Sequence, residues 1–380
     1  MKILLPATKT VMIMTEKRFN FTRVLAAALM FAVIVSCFTL SPTSAFSYKK
    51  VSADFNAGTS SEIVMEASTL RVLSENNAHE KKYMASTTKI MTAIVVIENC
   101  DTEEEITVGA NTVGIEGSSI YLEAGEKLTV KDLLYGLMLR SGNDCAETLA
   151  VHLSGSIKEF AALMNKTAEK IGAKNSRFVN PHGLHDDNHY TTAYDLALIS
   201  CYAIKNPVFK EIVSTQKTTI PFTTRNTKRV LLNKNKMLKE FDGATGIKTG
   251  YTKKAGRCLV SSCNRNGMEL VSVVLNCGPM FERSKTILQK GFDEYKMYNL
   301  AESDNILDFI PVEDGKDLRG IYLKRDVIVP LTEWERENIK TTLELPEMIK
   351  KDTPKDSEIG FIKIYCQNNL IFTEKIYTIV

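Results

Sequence analysis

Three short groups of residues carry functional groups that could act together: Ser86-Thr87-Thr88-Lys89, Ser141-Gly142-Asn143 and Lys248-Thr249-Gly250. A serine and a lysine three positions apart at the start of a helix share a face, so the Ser86 hydroxyl and the Lys89 amine can touch. The positive end of the helix dipole and an apolar surround both disfavour charge on that lysine. A neutral Lys89 could then take the Ser86 proton, as a serine nucleophile requires. Ser141 offers a hydroxyl that can relay a proton to a leaving amine, and Asn143 an amide that can hold a substrate peptide. Lys248 and Thr249 offer a cation and a hydroxyl to a carboxylate, while Gly250 lets a substrate backbone lie close. Each group alone has a plainer reading: a capping serine with a solvated lysine, a turn chosen for Gly142, and the start of a strand. Order, spacing and surroundings carry the argument.

The elements around these groups are of the kinds the chemistry needs. Lys89–Asn99 (KIMTAIVVIEN) is an almost unbroken apolar run behind three residues suited to a helix N-terminus, which predicts a buried helix. Lys131–Arg140 and Ala146 to about Ile171 have helical apolar spacing, the second with a break at Ser154-Gly155. Ser141-Gly142-Asn143-Asp144 must therefore be a tight break between helices. Residues 62–76 read as a hairpin, and Ile247–Tyr251 as the start of a strand. Leu259–Ser262 and Leu270–Leu275 read as strands joined through Asn266-Gly267, a hairpin-turn signal. Ser284–Met297 reads as the last helix of this unit. Beyond about residue 300, short alternating runs (Gly320–Leu323, Val327–Leu331, Lys340–Leu345, Gly360–Tyr365, Leu370–Val380) predict a small all-β domain.

Together these residues resemble the active-site serine penicillin-recognising enzymes, for which Ser-x-x-Lys and Lys-Thr-Gly are signature elements. Within them the chain is most similar to the serine D-Ala-D-Ala carboxypeptidases, the low-molecular-mass penicillin-binding proteins. The resemblance rests on MASTTKIMTAIVVIE (84–98), GSSIYLEAGEKLTVKDLLYGLMLRSGNDCAETLA (117–150), FVNPHGLHDDNHYTTAYDLALIS (178–200) and DGATGIKTGYTKKAGRCLVSS (242–262). It runs from about residue 48 to 300 and continues more weakly to the C-terminus. It implies an α/β fold: a penicillin-binding/β-lactamase-like transpeptidase domain, with an antiparallel sheet flanked by helices and a helical subdomain, over residues 46–298. A β-rich C-terminal domain follows over 299–380. It also implies catalytic roles for Ser86 (acylated nucleophile), Lys89 (general base) and Ser141. Asn143, Lys248, Thr249 and Gly250 would bind substrate, and the backbone N–H groups of Ser86 and Tyr251 would form the oxyanion hole. The implied substrates are peptidoglycan stem peptides, with β-lactams as covalent inhibitors and no cofactor. Two departures stand out: Cys145 where the family usually has alanine, and Tyr251 at a variable position.

Rival readings fit less well, and against a non-catalytic penicillin-fold protein that only binds cell wall stand the three intact motifs. Class A β-lactamases place a deacylating glutamate between the second and third motifs. Here that interval holds Asn180-Pro181-His182-Gly183-Leu184. His182, His185 and His189 with Asp186 and Asp187 invite a metal reading. Their spacing matches no zinc pattern, so the segment reads as a polar loop held by backbone hydrogen bonds.

The remaining composition bounds the setting. Lys17, Arg18 and Arg23 precede the uncharged run Val24–Leu40 and a small-residue stretch ending at Ala45, which predicts a signal peptide over residues 1–45. Ile34-Val35-Ser36-Cys37 also matches a lipobox, so membrane association through lipidated Cys37 or an uncleaved signal is an alternative to cleavage after Ala45. Each reading exports the rest of the chain, to the cell wall or the outer face of the cytoplasmic membrane. Residues 1–45 hold five of the 48 basic and one of the 45 acidic residues, so the remainder carries 43 against 44, a net of −1. That balance gives no electrostatic case for nucleic acid. Seven cysteines remain after Cys37; the number is odd and no CxxC pair occurs, which argues for small buried residues rather than a disulfide framework.

Overall fold

The computed structural model describes residues 59–379 apart from 304, 314 and 316, so the signal-like segment with Cys37 and Ala45 lies outside the described residues. A hairpin of β1 (Ser61–Glu66) and β2 (Val72–Asn76) forms one edge of the main sheet. The chain then builds a helical layer from α1 (Lys89–Asn99), α2 (Val130–Tyr135), α3 (Asn143–Ser154), α4 (Ile157–Ile171), α5 (Ala193–Ala203) and α6 (Pro207–Ser214). Two short ribbons, β3 (Glu105–Thr107) with β4 (Lys127–Thr129) and β5 (Lys217–Phe222) with β6 (Thr227–Leu232), accompany these helices. A single turn, α7 (Met237–Glu240), leads back into β7 (Ala244–Thr252), β8 (Gly256–Arg265) and β9 (Met268–Leu275), and α8 (Met280–Glu294) follows. The sheet is antiparallel throughout, in the order β2-β1-β9-β8-β7.

Local chemistry sets these boundaries. α3 stops where Gly155 takes φ +73, and Ser156 caps α4 by accepting from the Glu159 N–H. Asn266 (φ 52) and Gly267 (φ 81) make the β8–β9 turn that the Asn-Gly pair predicts. The main sheet is buried on both faces. Ile63, Met65, Val260, Val271 and Val273 point into the core beneath the helical layer, while Val64, Leu259, Leu270 and Val274 pack on Ile287 and Leu288 of α8. That strict alternation of partners along each strand is the period-2 rule with apolar residues on both faces. α8 begins at Met280, not Ser284, and ends at Glu294, because Met297 belongs to the next strand.

The C-terminal segment has its own core of Ile310, Ile321, Val327, Val329, Ile362, Ile364 and Ile376. Its strands are β10 (Lys296–Ala301), β11 (Asp308–Pro311), β12 (Leu318–Tyr322), β13 (Val327–Leu331), β14 (Ile339–Glu344), β15 (Glu358–Cys366) and β16 (Asn369–Thr378). β10 pairs with β13, and the others form a sheet in the order β11-β12-β16-β15-β14, so β10 spans the boundary expected at residue 299. One short helix, α9 (Glu333–Asn338), interrupts the strands; Thr332 and Glu335 form the capping box that starts it. Arg71 in the β1–β2 turn donates to the Pro330 carbonyl and to Glu335, tying the two segments together. The seven described cysteines are free thiols, and all but Cys100 are buried.

Candidate active site

Ser86 sits in a 3-10 turn, Ala85–Thr88, that runs directly into α1. The turn is held in an unusual shape: Ala85 has φ +47, a region that favours glycine. Thr87 donates its hydroxyl to the Met84 carbonyl at 2.6 Å, and Thr88 donates to the Ala85 carbonyl at 2.8 Å. Behind Thr88 stands His189. The Val179 N–H donates to His189 Nδ1 at 3.1 Å, which leaves the proton on Nε2 to be donated to Thr88 Oγ1 at 2.7 Å. Burial pushes the His189 ring down to about 4, so it works as a neutral relay of hydrogen bonds.

Lys89 is fully buried. Its Nζ lies 2.7 Å from Asn143 Oδ1, 2.7 Å from the His182 carbonyl and 3.3 Å from Ser86 Oγ. Burial, and then the charge of Lys248, hold its pKa well below the usual lysine range. A neutral amine has two N–H groups and one lone pair. The two short contacts to carbonyl oxygens use both N–H groups, which leaves the lone pair for the Ser86 hydroxyl.

Ser141 ends the π-helical turn Gly136–Arg140 in a left-handed conformation, φ +66. Its hydroxyl is buried and has no protein partner, a state that buried polar groups rarely adopt. Asn143 opens α3 and is fixed at three points: its N–H donates to the Ser118 carbonyl at 2.7 Å, its Nδ2 to the Glu116 carbonyl at 2.5 Å, and its Oδ1 accepts from Lys89. Asp144 was not singled out by its sequence, yet its buried carboxylate anchors the neighbouring loop. It accepts from the Ser119 hydroxyl and from the backbone N–H groups of Ile120, Leu122 and Cys145.

The third group lies on β7, the edge strand beside the Ser86 turn. A Cβ on Gly250 would stand 3.1 Å from the backbone nitrogens of both Ser86 and Thr87, so this glycine sets how closely strand and turn approach. Lys248 is buried, and burial followed by the charge of Lys234 pulls its pKa down to about 7. Thr249 is partly exposed beside it, and Tyr251 projects into solvent at the strand's end. Lys234, overlooked in the sequence, donates to Ser118 Oγ at 3.3 Å and faces the same region. Ser86, Lys89 and Asn143 are thus directly linked, Gly250 abuts the Ser86 turn, and Lys248 is electrostatically coupled to Lys89.

The loop at residues 180–184, expected as a polar loop held by backbone hydrogen bonds, also reaches the site. Asn180 Oδ1 accepts from the Gly183 N–H at 2.7 Å, turning the loop so that the His182 carbonyl faces Lys89. Gly183 has φ +86, and a Cβ there would fall 1.9 Å from the Ala85 carbonyl oxygen. Both ring nitrogens of His182 are occupied: the Leu184 N–H donates to Nδ1, and Nε2 donates to Glu147 at 3.3 Å. Burial holds that ring near 3. Among the described residues no cluster of His, Cys, Asp or Glu is arranged to hold a metal.

Comparison with known proteins places the chain in a family. The D-alanyl-D-alanine carboxypeptidase family profile matches residues 48–278, and that of the penicillin-binding protein 5 C-terminal domain matches residues 295–379. D-alanyl-D-alanine carboxypeptidase DacF of Bacillus subtilis is 31% identical over 312 residues, covering 79% of each chain. The crystal structure of penicillin binding protein 5 from Haemophilus influenzae superposes with a TM-score of 0.74 at 27% identity, covering 84% of this chain and 96% of that one. A Streptomyces K15 DD-transpeptidase mutant, 32% identical, covers 61% of this chain and 97% of its own with a TM-score of 0.58. This chain belongs to the serine D-alanyl-D-alanine carboxypeptidase family and carries the C-terminal domain of the penicillin-binding protein 5 type.

Proposed function

We propose that this protein acts outside the cytoplasm on peptidoglycan stem peptides, removing the terminal D-alanine through an acyl-enzyme at Ser86. The observation that carries this reading is the Lys89 amine, buried and held by two carbonyl oxygens at 2.7 Å with Ser86 Oγ at 3.3 Å. Ser86 Oγ attacks the carbonyl carbon of the penultimate D-alanine while its proton passes to Lys89 Nζ. The oxyanion receives the backbone N–H groups of Ser86 and Tyr251. As the C–N bond breaks, the Ser141 hydroxyl hands its proton to the departing amine and is reprotonated from Lys89, so D-alanine leaves and Lys89 is neutral again. Water then attacks the ester as its proton passes to Lys89, which returns it to Ser86 Oγ when the ester C–O bond breaks, and Ser86 is restored. Lys248 and Thr249 hold the terminal carboxylate, and Asn143 the substrate amide. The unpartnered Ser141 hydroxyl fits a relay whose partners arrive with the substrate.

The segment between the second and third motifs offers Lys89 a backbone carbonyl rather than a carboxylate, which favours a long-lived penicilloyl enzyme over β-lactam hydrolysis. The export signal, with cleavage after Ala45, lipidation at Cys37 or retention as an anchor, completes the reading. D-alanine release from diacetyl-Lys-D-Ala-D-Ala is the test: the wild type should release it, and Ser86→Ala and Lys89→Met should not. Release by Ser86→Ala would refute the assignment.

A further inference from the structure

Positive φ is spread over many turns here, but among the described residues only four such positions are filled by something other than Gly, Asn, Asp or Gln: Leu70, Ala85, Tyr121 and Ser141. Ala85 adjoins the nucleophile, and Ser141 opens the second motif. Tyr121 has φ +60, and the residue is 81% exposed. A bulky side chain in this region strains the backbone, and an exposed ring returns no packing to offset it.

The fold nonetheless fixes Tyr121 firmly. The Asp144 carboxylate accepts from the N–H groups on either side, at Ile120 and Leu122. The Tyr121 N–H donates to Ser119 Oγ at 2.7 Å, and its carbonyl accepts from Arg229 at 2.8 Å. Arg229 is itself buried and forks onto Glu126 with two contacts of 2.5 Å, so an ion pair of low exposure braces the same loop. The loop also borders the site: Glu116 and Ser118 offer carbonyls to Asn143, and Ser118 Oγ meets Lys234. Tyr121 is three residues further, within about 10 Å of Ser118 along the chain.

We propose that Tyr121 is a specificity residue that presents its ring to the part of the stem peptide preceding the two terminal D-alanines. The inference rests on the reading of the site as a carboxypeptidase. Ser86, Lys248 and Thr249 engage the terminal dipeptide, so a ring further along the rim meets the aliphatic side chain and backbone that come before it. Strain retained at a position where the ring packs on nothing indicates a contact made only when substrate is bound.

The test compares wild type, Tyr121→Gly and Tyr121→Phe on a full stem pentapeptide and on diacetyl-Lys-D-Ala-D-Ala, with thermal denaturation of each. Tyr121→Gly should melt no lower than wild type, since glycine adopts this φ freely. Its ratio of kcat/KM, pentapeptide over short substrate, should fall about tenfold, mostly through KM, which corresponds to about 1.4 kcal/mol. Tyr121→Phe should keep the wild-type ratio. A substantially lower melting temperature for Tyr121→Gly, or an unchanged ratio, overturns the proposal. If wild type releases no D-alanine from either peptide and takes up no benzylpenicillin, the reading of the site itself fails instead.

Discussion

Replacing Gly183 with alanine should disable the nucleophile while leaving the fold standing. Two effects follow from the structure. The backbone at this position has φ +86, which costs a residue with a Cβ about 1–2 kcal/mol. The added carbon would also fall 1.9 Å from the Ala85 carbonyl oxygen and 2.4 Å from its carbon, where contacts below 3.0 Å are not tolerated. The loop must draw back by about 1 Å, stretching the 2.7 Å contact from Lys89 to the His182 carbonyl beyond hydrogen-bonding length. A displacement of that size near reacting groups lowers rate about 100-fold. The assay is stopped-flow acylation by a fluorescent penicillin, beside a thermal melt. Gly172→Ala is the control: Gly172 caps α4 with φ +93 but has open space around its Cβ, so it carries the conformational cost alone. Both variants should melt lower, Gly183→Ala by more because it carries the clash as well, and only Gly183→Ala should acylate slowly. Acylation of Gly183→Ala within a few-fold of the wild-type rate would refute the claim that this loop positions Lys89 and the Ser86 turn.

Three further outcomes are expected. Lys248, with its pKa near 7, is charged below that value, so kcat/KM for a free-carboxylate substrate should fall as pH rises through about 7. Lys248→Arg should remove that alkaline limb, and a limb unchanged by the substitution would contradict the assignment. Glu126→Gln leaves the Arg229 guanidinium buried without its counter-charge, and should lower stability by about 3–5 kcal/mol in urea denaturation; a loss under about 1 kcal/mol would refute it. His189 is neutral in the fold down to about 4, whereas an unfolded histidine titrates near 6.5. The unfolded chain therefore binds the extra proton first. This contribution is complete above about pH 6.5 and is lost as pH falls toward 4, at up to about 1.4 kcal/mol per pH unit. His189→Ala should flatten the acid limb of the stability profile by one proton, and an unchanged slope would sink the argument.

Much of this was legible before any coordinates. The three motifs, their order and the helical character of Lys89–Asn99 and Ala146–Ile171 follow from side-chain types and periodicity, which local sequence records directly. α9 was also legible: Thr332-x-x-Glu335 is a capping signature that the expectation of an all-β domain obscured. What stayed hidden depends on contacts between distant segments. The His182 carbonyl is a backbone group, present at every residue, and nothing local marks it as the partner of Lys89. Its trace was indirect, in the Asn180-Pro181-His182-Gly183 turn chemistry; reading the segment as a polar loop held by backbone hydrogen bonds gave no hint that one of its carbonyls meets Lys89. Asp144 and Lys234 are ordinary residue types whose meaning comes from contacts across the chain, Asp144 buried against the 119–122 loop and Lys234, exposed, beside Ser118. Tyr121 is legible only through its backbone angle.

The central claim is that Ser86, activated by a neutral Lys89, is the acylated atom. Its most direct test is intact-mass and peptide mapping of the protein after exposure to benzylpenicillin. One penicilloyl group should be found, on the peptide containing Ser86, and none on Ser86→Ala. A stoichiometric adduct on any other residue, or retained labelling of Ser86→Ala, would contradict the account.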